Sequence, residues 1–188
     1  MTNSDLQSAL VALQSGGLIL YPTDTIWGIG CDACLSPAVQ RIARVKERAD
    51  HKSFVLLVSD LDMLERYVEE VPPMAYSLIE VSDKPLTLVY PRARSLAPEV
   101  VGADGTVAIR VVKHPFCQEL IRRFGRPIVS TSANRAGAPA PQSFGDIPAE
   151  LKAQLDYCVD PKLEGPATGQ ASSIIKLGLN GAVQIIRN

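Results

Sequence analysis

"YPTDTIWGIGCDA", residues 21 to 33, follows a short apolar run and carries the most unusual residue pattern in the chain. Glycine-rich turns that follow a strand often cradle phosphates. The spacing of Gly28 and Gly30, however, is not that of a P-loop, and no third glycine completes a dinucleotide fingerprint. The stretch therefore predicts a binding loop of another kind, placed at the end of a buried strand.

The composition is that of an ordinary globular protein. The 188 residues are 46% hydrophobic and 21% charged, and we expect one domain over residues 1–188. A net charge of −1 disfavours a protein built mainly to bind nucleic acid. No apolar run approaches the length of a membrane span, and the N-terminus does not resemble a secretory signal. We therefore expect a cytoplasmic protein without membrane contact, whose four cysteines do not form a disulfide scaffold.

Hydrophobic periodicity and turn residues predict alternating strands and helices, with several strands near the end of the chain. The predicted helices are 4–17, 36–48 (with Ser36 as N-cap), 60–70, 72–81, 114–125 and one near 147–155; the predicted strands are 18–21, 54–58, 85–90, 106–112, 127–130, 157–160, 172–177 and 182–186. Such an order favours an α/β fold with a mixed parallel and antiparallel sheet flanked by helices.

Three polar clusters follow apolar segments, where α/β proteins tend to form ligand sites. They are 23–25 (Thr-Asp-Thr), the cations Lys46, Arg48 and Lys52, and 130–134 (Ser-Thr-Ser-Ala-Asn). Cations beside hydroxyl groups suit a triphosphate. Each cluster also has a plainer interpretation: the cations could be a solvated helix end, and the other two clusters could be turns that close local hydrogen bonds.

The order of these segments resembles the YrdC/Sua5 family, the threonylcarbamoyl-AMP synthases of tRNA modification. The resemblance spans nearly the whole chain and rests on YPTDTIWGIGCDA, KERADHKSFVLLV, PLTLV, TVAIR and STSANRAGAPAP. It implies a YrdC-like domain with a twisted sheet that lines a basic concave cleft. It also implies synthesis of L-threonylcarbamoyladenylate and pyrophosphate from L-threonine, bicarbonate and ATP, for modification of adenosine 37 in tRNAs that read ANN codons.

The resemblance also implies a role for individual residues. Thr25, Arg110 and Ser130 would contact threonine, and Lys46, Arg48 and Lys52 would stabilise charge on the phosphates. The implied nucleotide contacts are Arg48, Lys52, Thr106, Ser132, Asn134, Ser173 and Arg187. Mg²⁺ would arrive with ATP, no protein-ligated metal is expected, and a separate tRNA threonylcarbamoyl transferase complex would take the product. Weak contact with tRNA or double-stranded RNA is a further expectation.

Two other functions remain open at this point. One is a divergent YrdC-like paralogue with another carbamate substrate, and the other is a non-catalytic RNA-binding module. The chain departs from the usual family pattern at several positions: Trp27 replaces a tyrosine, 82–84 reads SDK instead of WPG, and Ala140 replaces a hydroxyl residue. Cys31, Cys34, His114 and Cys117 have spacings compatible with zinc, although core packing explains them more simply.

Overall fold

The computed structural model describes residues 3–47 and 54–188. Over these residues the helices and strands alternate much as the periodicity predicts. The α-helices are α1 Asn3–Gln14, α2 Ser36–Val45, α3 Leu61–Glu65, α4 Pro73–Val81, α5 Pro115–Phe124 and α6 Ala149–Lys152. The strands are β1 Ile19–Tyr21, β2 Gly28–Gly30, β3 Val55–Val58, β4 Leu86–Tyr90, β5 Val107–Val111, β6 Ile128–Ser132, β7 Tyr157–Cys158, β8 Ser173–Leu177 and β9 Val183–Arg187.

The strands form a mixed sheet in the order β7-β1-β2-β6-β3-β5-β4-β8-β9. The pairs β1–β7, β3–β5 and β4–β8 are parallel, and the other neighbouring pairs are antiparallel. The predicted α/β class and mixed sheet are therefore confirmed. Within the described residues, no helix is both long and apolar enough to cross a membrane.

Two local predictions were wrong. Residues 28–30 were expected to lie in a loop, yet they form β2, which pairs with β1 and with β6. Ser36 is the first helical residue of α2 and not its N-cap, a position that Leu35 takes without a side-chain hydrogen bond. The Ser36 hydroxyl instead donates to Glu99 Oε1 at 2.5 Å. Both outcomes depend on partners distant in the sequence, which local propensity does not reveal.

One face of the central strands is buried and the other bears the polar residues. Leu56 on β3, Ile109 on β5 and Val129 on β6 are fully or almost fully buried. Side chains alternate between faces along a strand, so Val55, Arg110 and Ser130 point to the opposite side. The helix α5 contacts β3 and also packs against α1, so these elements hold the central sheet in place.

The two glycines of β2 have different physical reasons to be glycine. A Cβ on Gly30 would lie 2.6 Å from the Tyr21 ring and 2.7 Å from the Val129 carbonyl oxygen. Tyr21 is fully buried there, and its hydroxyl donates to that same carbonyl. A Cβ on Gly28 would meet the Ser130 hydroxyl oxygen at 3.3 Å, closer than a usual Cβ contact but to a side-chain atom that can shift slightly. Gly30 therefore makes room for the core, whereas Gly28 leaves the polar face uncovered.

Gly30→Ala is expected to destabilise the protein by about 1–3 kcal/mol, because the methyl group would overlap a fixed ring and a backbone carbonyl. Gly28→Ala is the matched control and should cost clearly less. Urea unfolding of the two variants beside the unmodified protein measures both effects. Equal stability of Gly30→Ala and the unmodified protein would show that this part of the core is not close-packed.

Candidate active site

A cavity of about 390 Å³ lies on the polar face of the sheet, at the ends of the strands that carry the predicted site residues. Its described lining includes the following predicted residues: Thr25, Lys46, Arg110, Ser130, Ser132, Asn134 and Arg187. These side chains come from five separate parts of the chain. The fold therefore brings described members of all three polar clusters into one pocket.

Strand register explains why these residues meet. Ser132 pairs with Gly28, and Ser130 pairs with Val55, so alternate residues of β6 face the cavity beside β2 and β3. Farther along the sheet, Ile174 of β8 pairs with Arg187 of β9, and both line the cavity. Since a shift of one residue would turn every side chain to the other face, this register is a condition for the site.

Arg110 lies at the base of the cavity, and both it and its neighbour Asp24 are buried. The Arg110 Nη2 atom lies 3.1 Å from Asp24 Oδ1, and it donates to the Thr25 hydroxyl oxygen at 3.3 Å. The Lys113 backbone N–H donates to the other Asp24 oxygen at 3.0 Å. Among the described residues, the buried Arg110 Nε has no hydrogen-bond partner. Buried donors are rarely left unsatisfied, so this guanidinium is not fully paired within the described protein.

The Thr-Asp-Thr turn presents a hydroxyl oxygen in a defined orientation. The Thr23 hydroxyl donates to the Ile26 carbonyl at 2.7 Å, and its single proton is thereby used. The proton between the Thr23 and Thr25 hydroxyls, whose oxygens are 2.8 Å apart, must then come from Thr25. Thr25 Oγ1 is left with its lone pairs toward Arg110 and the cavity, where it accepts hydrogen bonds.

Lys46 forms the opposite side of the cavity, just past the end of α2. This lysine is buried; its ammonium donates to the Ser132 carbonyl and lies 3.4 Å from Asn134 Oδ1. The Ala136 backbone N–H donates to the Lys46 carbonyl at 3.0 Å. A buried ammonium is thus fixed among polar groups beside the pocket.

Arg187 closes the third side of the cavity, from the last strand. Its Nε and Nη2 atoms both donate to the Ser172 carbonyl, at 2.9 and 2.7 Å. Burial lowers the pKa of the Arg187 guanidinium, and the nearby charge of Arg110 lowers it further. Two guanidinium groups that share one pocket repel each other, and an anion bound near both would relieve that repulsion.

The described lining contains the cations Lys46, Arg110 and Arg187 and neither aspartate nor glutamate. A basic concave cleft nevertheless stays a prediction for the chain as a whole. The cations Arg48 and Lys52, which the sequence places in the same cluster as Lys46, lie outside the described residues.

Two predicted nucleotide contacts are described but do not line the cavity. Thr106 donates to Asp104 Oδ1 at 2.6 Å, near the start of β5 and several residues from Arg110. Ser173 lies between Ser172 and Ile174, both of which do line the cavity. Strand alternation therefore presents Ser172 rather than Ser173 to the pocket.

The departures at 82–84 and Ala140 also lie outside the described lining. The Ser82 hydroxyl donates to the Lys84 carbonyl at 2.8 Å, and the Ser82 carbonyl accepts from the Lys113 ammonium. Neither the pairing of Asp24 with Arg110 nor the place of Ser172 in the lining was predicted from the sequence. The position of Asp24 within the polar cluster 23–25 could have indicated its role, whereas no sequence pattern indicated that of Ser172.

The cysteines and His114 do not assemble into a metal site within the described residues, where no group of three or more potential ligands forms. Cys117 Sγ donates to the Pro22 carbonyl at 2.9 Å, whereas Cys31 Sγ contacts the Asp32 carbonyl at 3.7 Å. The His114 imidazole bonds to the Glu164 carbonyl. These groups have separate partners, which agrees with core packing.

A family model for Sua5, YciO and YrdC proteins, described as "Telomere recombination", matches residues 11–188. The chain belongs to this family. The threonylcarbamoyl-AMP synthase of Pseudoalteromonas translucida is 34% identical over 183 residues, which cover 96% of each chain. The protein of the same name from Vibrio cholerae is 36% identical over 164 residues, 86% of this chain and 87% of that one.

Solved structures of the family share the fold. Sua5 of P. abyssi, complexed with L-threonine, superimposes with a TM-score of 0.84 at 29% identity, over 92% of this chain. The match covers 50% of that Sua5 chain, so the present chain spans about half its length. YciO of E. coli has a TM-score of 0.82 at 23% identity, and the match covers 100% of this chain and 90% of the YciO chain. The latter likeness shows the fold alone.

The four thiols are expected to differ in reactivity toward iodoacetamide at mildly alkaline pH. Burial raises the pKa of Cys31 and Cys117, which are both enclosed in the core. Burial also raises the pKa of Cys34, to about 11, and that of Cys158, but these two thiols are partly accessible. Only the thiolate reacts, so Cys34 and Cys158 should be alkylated slowly and the other two only after unfolding.

Mass spectrometry of native and urea-unfolded samples tests this order. Rapid labelling of Cys31 or Cys117 in the native protein would contradict the described core. Stoichiometric zinc in the purified protein would show that the thiols serve a different purpose.

Proposed function

We propose that this protein is an L-threonylcarbamoyladenylate synthase, a nucleotidyltransferase that uses L-threonine, bicarbonate and ATP. The observation that carries the proposal is the buried Arg110 guanidinium, which lines a cavity of about 390 Å³ whose described lining contains no carboxylate. A guanidinium in that position suits the carboxylate of an amino acid. The names of the relatives and the threonine complex of P. abyssi Sua5 support the same assignment.

The amino acid would bind at the Arg110 side of the cavity. Arg110 would hold the threonine carboxylate, and the oriented lone pairs of Thr25 Oγ1 would accept from the amine or hydroxyl of the substrate. Ser130 faces the same space from β6. Asp24 neutralises part of the Arg110 charge and fixes the guanidinium plane, so the residue is in place before the substrate arrives.

The nucleotide would bind toward Lys46, Ser132 and Asn134. We assign Arg187 to the same ligand from the opposite wall, and Ser172 to the place beside it. Arg48 and Lys52 would complete the phosphate contacts with Lys46, as the family resemblance implies. Thr106 and Ser173 remain sequence-based assignments that the described cavity does not include.

The proposed reaction needs no covalent intermediate on the protein. The threonine amine and bicarbonate combine to a carbamate with loss of water, and the carbamate oxygen attacks the α-phosphorus of ATP. The bond from the α-phosphorus to the bridging oxygen breaks, and pyrophosphate leaves. Negative charge grows on the phosphoryl oxygens during this step, so fixed cations such as Lys46 contribute by electrostatic stabilisation and positioning.

Magnesium belongs to the ATP substrate in this proposal. The described lining of the cavity offers no carboxylate, so its residues do not fit a resident Mg²⁺ site. The ion would stay on the phosphates and their water molecules. The lysine and arginine side chains would contact the phosphate oxygens that the ion leaves open.

The product would pass to a separate tRNA threonylcarbamoyl transferase complex, for the modification of adenosine 37 in tRNAs that read ANN codons. Such a pathway belongs in the cytoplasm, where tRNA is processed. Contact of this chain with tRNA itself would be weak, because its net charge is −1.

Pyrophosphate release from Mg-ATP tests the proposal directly. Release should require both L-threonine and bicarbonate, and carbon-13 from labelled bicarbonate should appear in a threonylcarbamoyl adenylate. Release with bicarbonate and another amine in place of threonine would indicate a paralogue with a different carbamate. No release from a folded protein that binds double-stranded RNA in a salt-dependent manner would favour the RNA-binding module.

Arg110→Ala should raise the KM for L-threonine by about a hundredfold and change the KM for ATP much less, because a charged contact to the carboxylate is lost. Arg110→Lys keeps the charge but not the planar pair of donors, and should give an intermediate value. Arg122→Ala, an exposed arginine on α5, is the control. Steady-state kinetics with each substrate varied, together with thermal unfolding of each variant, measure the effects. Equal increases for threonine and ATP would mean that Arg110 does not contact the carboxylate.

A further inference from the structure

A second cavity of about 190 Å³ lies on the other side of the turn that carries Thr25. Thr25, Ile26 and Trp27 line both cavities, so these three residues form the wall between them. The far side of the second cavity is formed by the segment that begins at Glu164. The space would hold about six water molecules at roughly 30 Å³ each.

On this side the wall borders open space, so polar contacts contribute to its position beside core packing. Trp27 is buried, and its indole N–H donates to Glu164 Oε1 at 2.7 Å. The indole ring also meets the Phe144 ring edge-on, with centroids 5.1 Å apart. A buried indole N–H needs an acceptor, and this carboxylate supplies it.

Glu164 also joins two distant parts of the chain through its backbone. Its carbonyl oxygen lies 2.8 Å from His114 Nε2, which must carry the proton because a carbonyl only accepts. The peptide that follows, at Gly165, has a φ of 60°, a left-handed conformation that glycine adopts without strain. The backbone carbonyl of Glu164 is thus fixed by His114, the residue before α5, and its carboxylate binds the Trp27 indole.

The segment from Glu164 to Ser172 returns to the active-site turn. The Thr168 N–H donates to the Asp24 carbonyl at 3.1 Å, and the Gly169 N–H donates to the Thr25 carbonyl at 2.9 Å. Its end supplies Ala171 and Ser172 to the first cavity. The segment thus contacts the Thr25–Trp27 wall twice, through these backbone hydrogen bonds and through the contact between Glu164 and Trp27 at its start.

We propose that Glu164 is a positioning residue, which fixes the Trp27 indole and thereby the Thr25–Trp27 wall of the substrate pocket. Its catalytic consequence rests on the proposed function, but its effect on Trp27 does not. Without the carboxylate the indole N–H would lose its protein acceptor, and the adjacent space would let the ring turn toward water. Threonine would then meet a displaced wall, and its binding would weaken.

The test uses the fact that Trp27 is the single tryptophan of the chain. Glu164→Ala should shift the tryptophan emission to longer wavelength and weaken L-threonine binding by about tenfold in calorimetry, the value of one lost hydrogen bond. Glu164→Gln retains an acceptor oxygen and should restore both properties. Glu80→Ala, an exposed glutamate on α4, is the control.

A double-mutant cycle separates positioning from general destabilisation. In a Trp27→Phe background the N–H is absent, so Glu164→Ala should have little further effect on threonine binding. An equal effect in both backgrounds, or an unchanged emission in Glu164→Ala, would overturn the proposal. If Glu164→Ala does not fold, the cycle is run with Glu164→Leu and thermal unfolding is reported for each variant.

The two proposals fail separately. A protein that shows the emission shift and its rescue by glutamine, yet releases no pyrophosphate, would keep the positioning of Trp27 and lose the proposed reaction. Normal pyrophosphate release in Glu164→Ala with unchanged threonine KM would keep the reaction and exclude the positioning role.

Discussion

The site depends on one buried ion pair, between Arg110 at the end of a central strand and Asp24 in the turn after β1. Burial of two charges is expensive, and removal of one partner from such a pair typically costs about 3–5 kcal/mol. Because this desolvation offsets the attraction between the charges, the pair adds little net stability, and we infer that its main effect is to position the two side chains. It holds the turn against β5 and keeps a guanidinium at the base of the pocket, where the Lys113 backbone N–H donates to the second Asp24 oxygen.

The rest of the pocket follows from that constraint and from strand alternation. Once the turn is fixed, Thr25 presents its lone pairs and β6 presents Ser130 and Ser132 to the same space. Gly28 leaves this space uncovered on the β2 side. Lys46 and Arg187 then bring further positive charge from outside the central strands. Burial and, to a smaller extent, the nearby charge of Arg110 lower the pKa of Arg187, so an anion bound near both groups would stabilise the arrangement.

Much of this organisation could be predicted from the sequence because it depends on local signals. Apolar runs predicted most strands, and the three polar clusters contained most of the polar side chains in the described cavity lining. The features that could not be predicted depend on pairing between residues that are distant in the sequence. β2 is only three residues long and owes its strand conformation to two neighbouring strands, so its glycines looked like a loop.

Ser172 lines the cavity and Ser173 does not, and the sequence could not distinguish them because a one-residue uncertainty in register reverses the face of a strand. The hydrogen bond between Trp27 and Glu164 joins residues 137 positions apart, and no local sequence pattern predicts it.

The most direct test of the account compares L-threonine with L-threoninamide in calorimetric titrations of the unmodified protein. The two ligands differ only in the carboxylate that Arg110 is expected to bind. We predict that L-threonine binds at least about tenfold more tightly, and that the Arg110→Ala variant loses this preference. Equal affinities of the unmodified protein for both ligands would contradict the claim that the buried Arg110 guanidinium binds the threonine carboxylate.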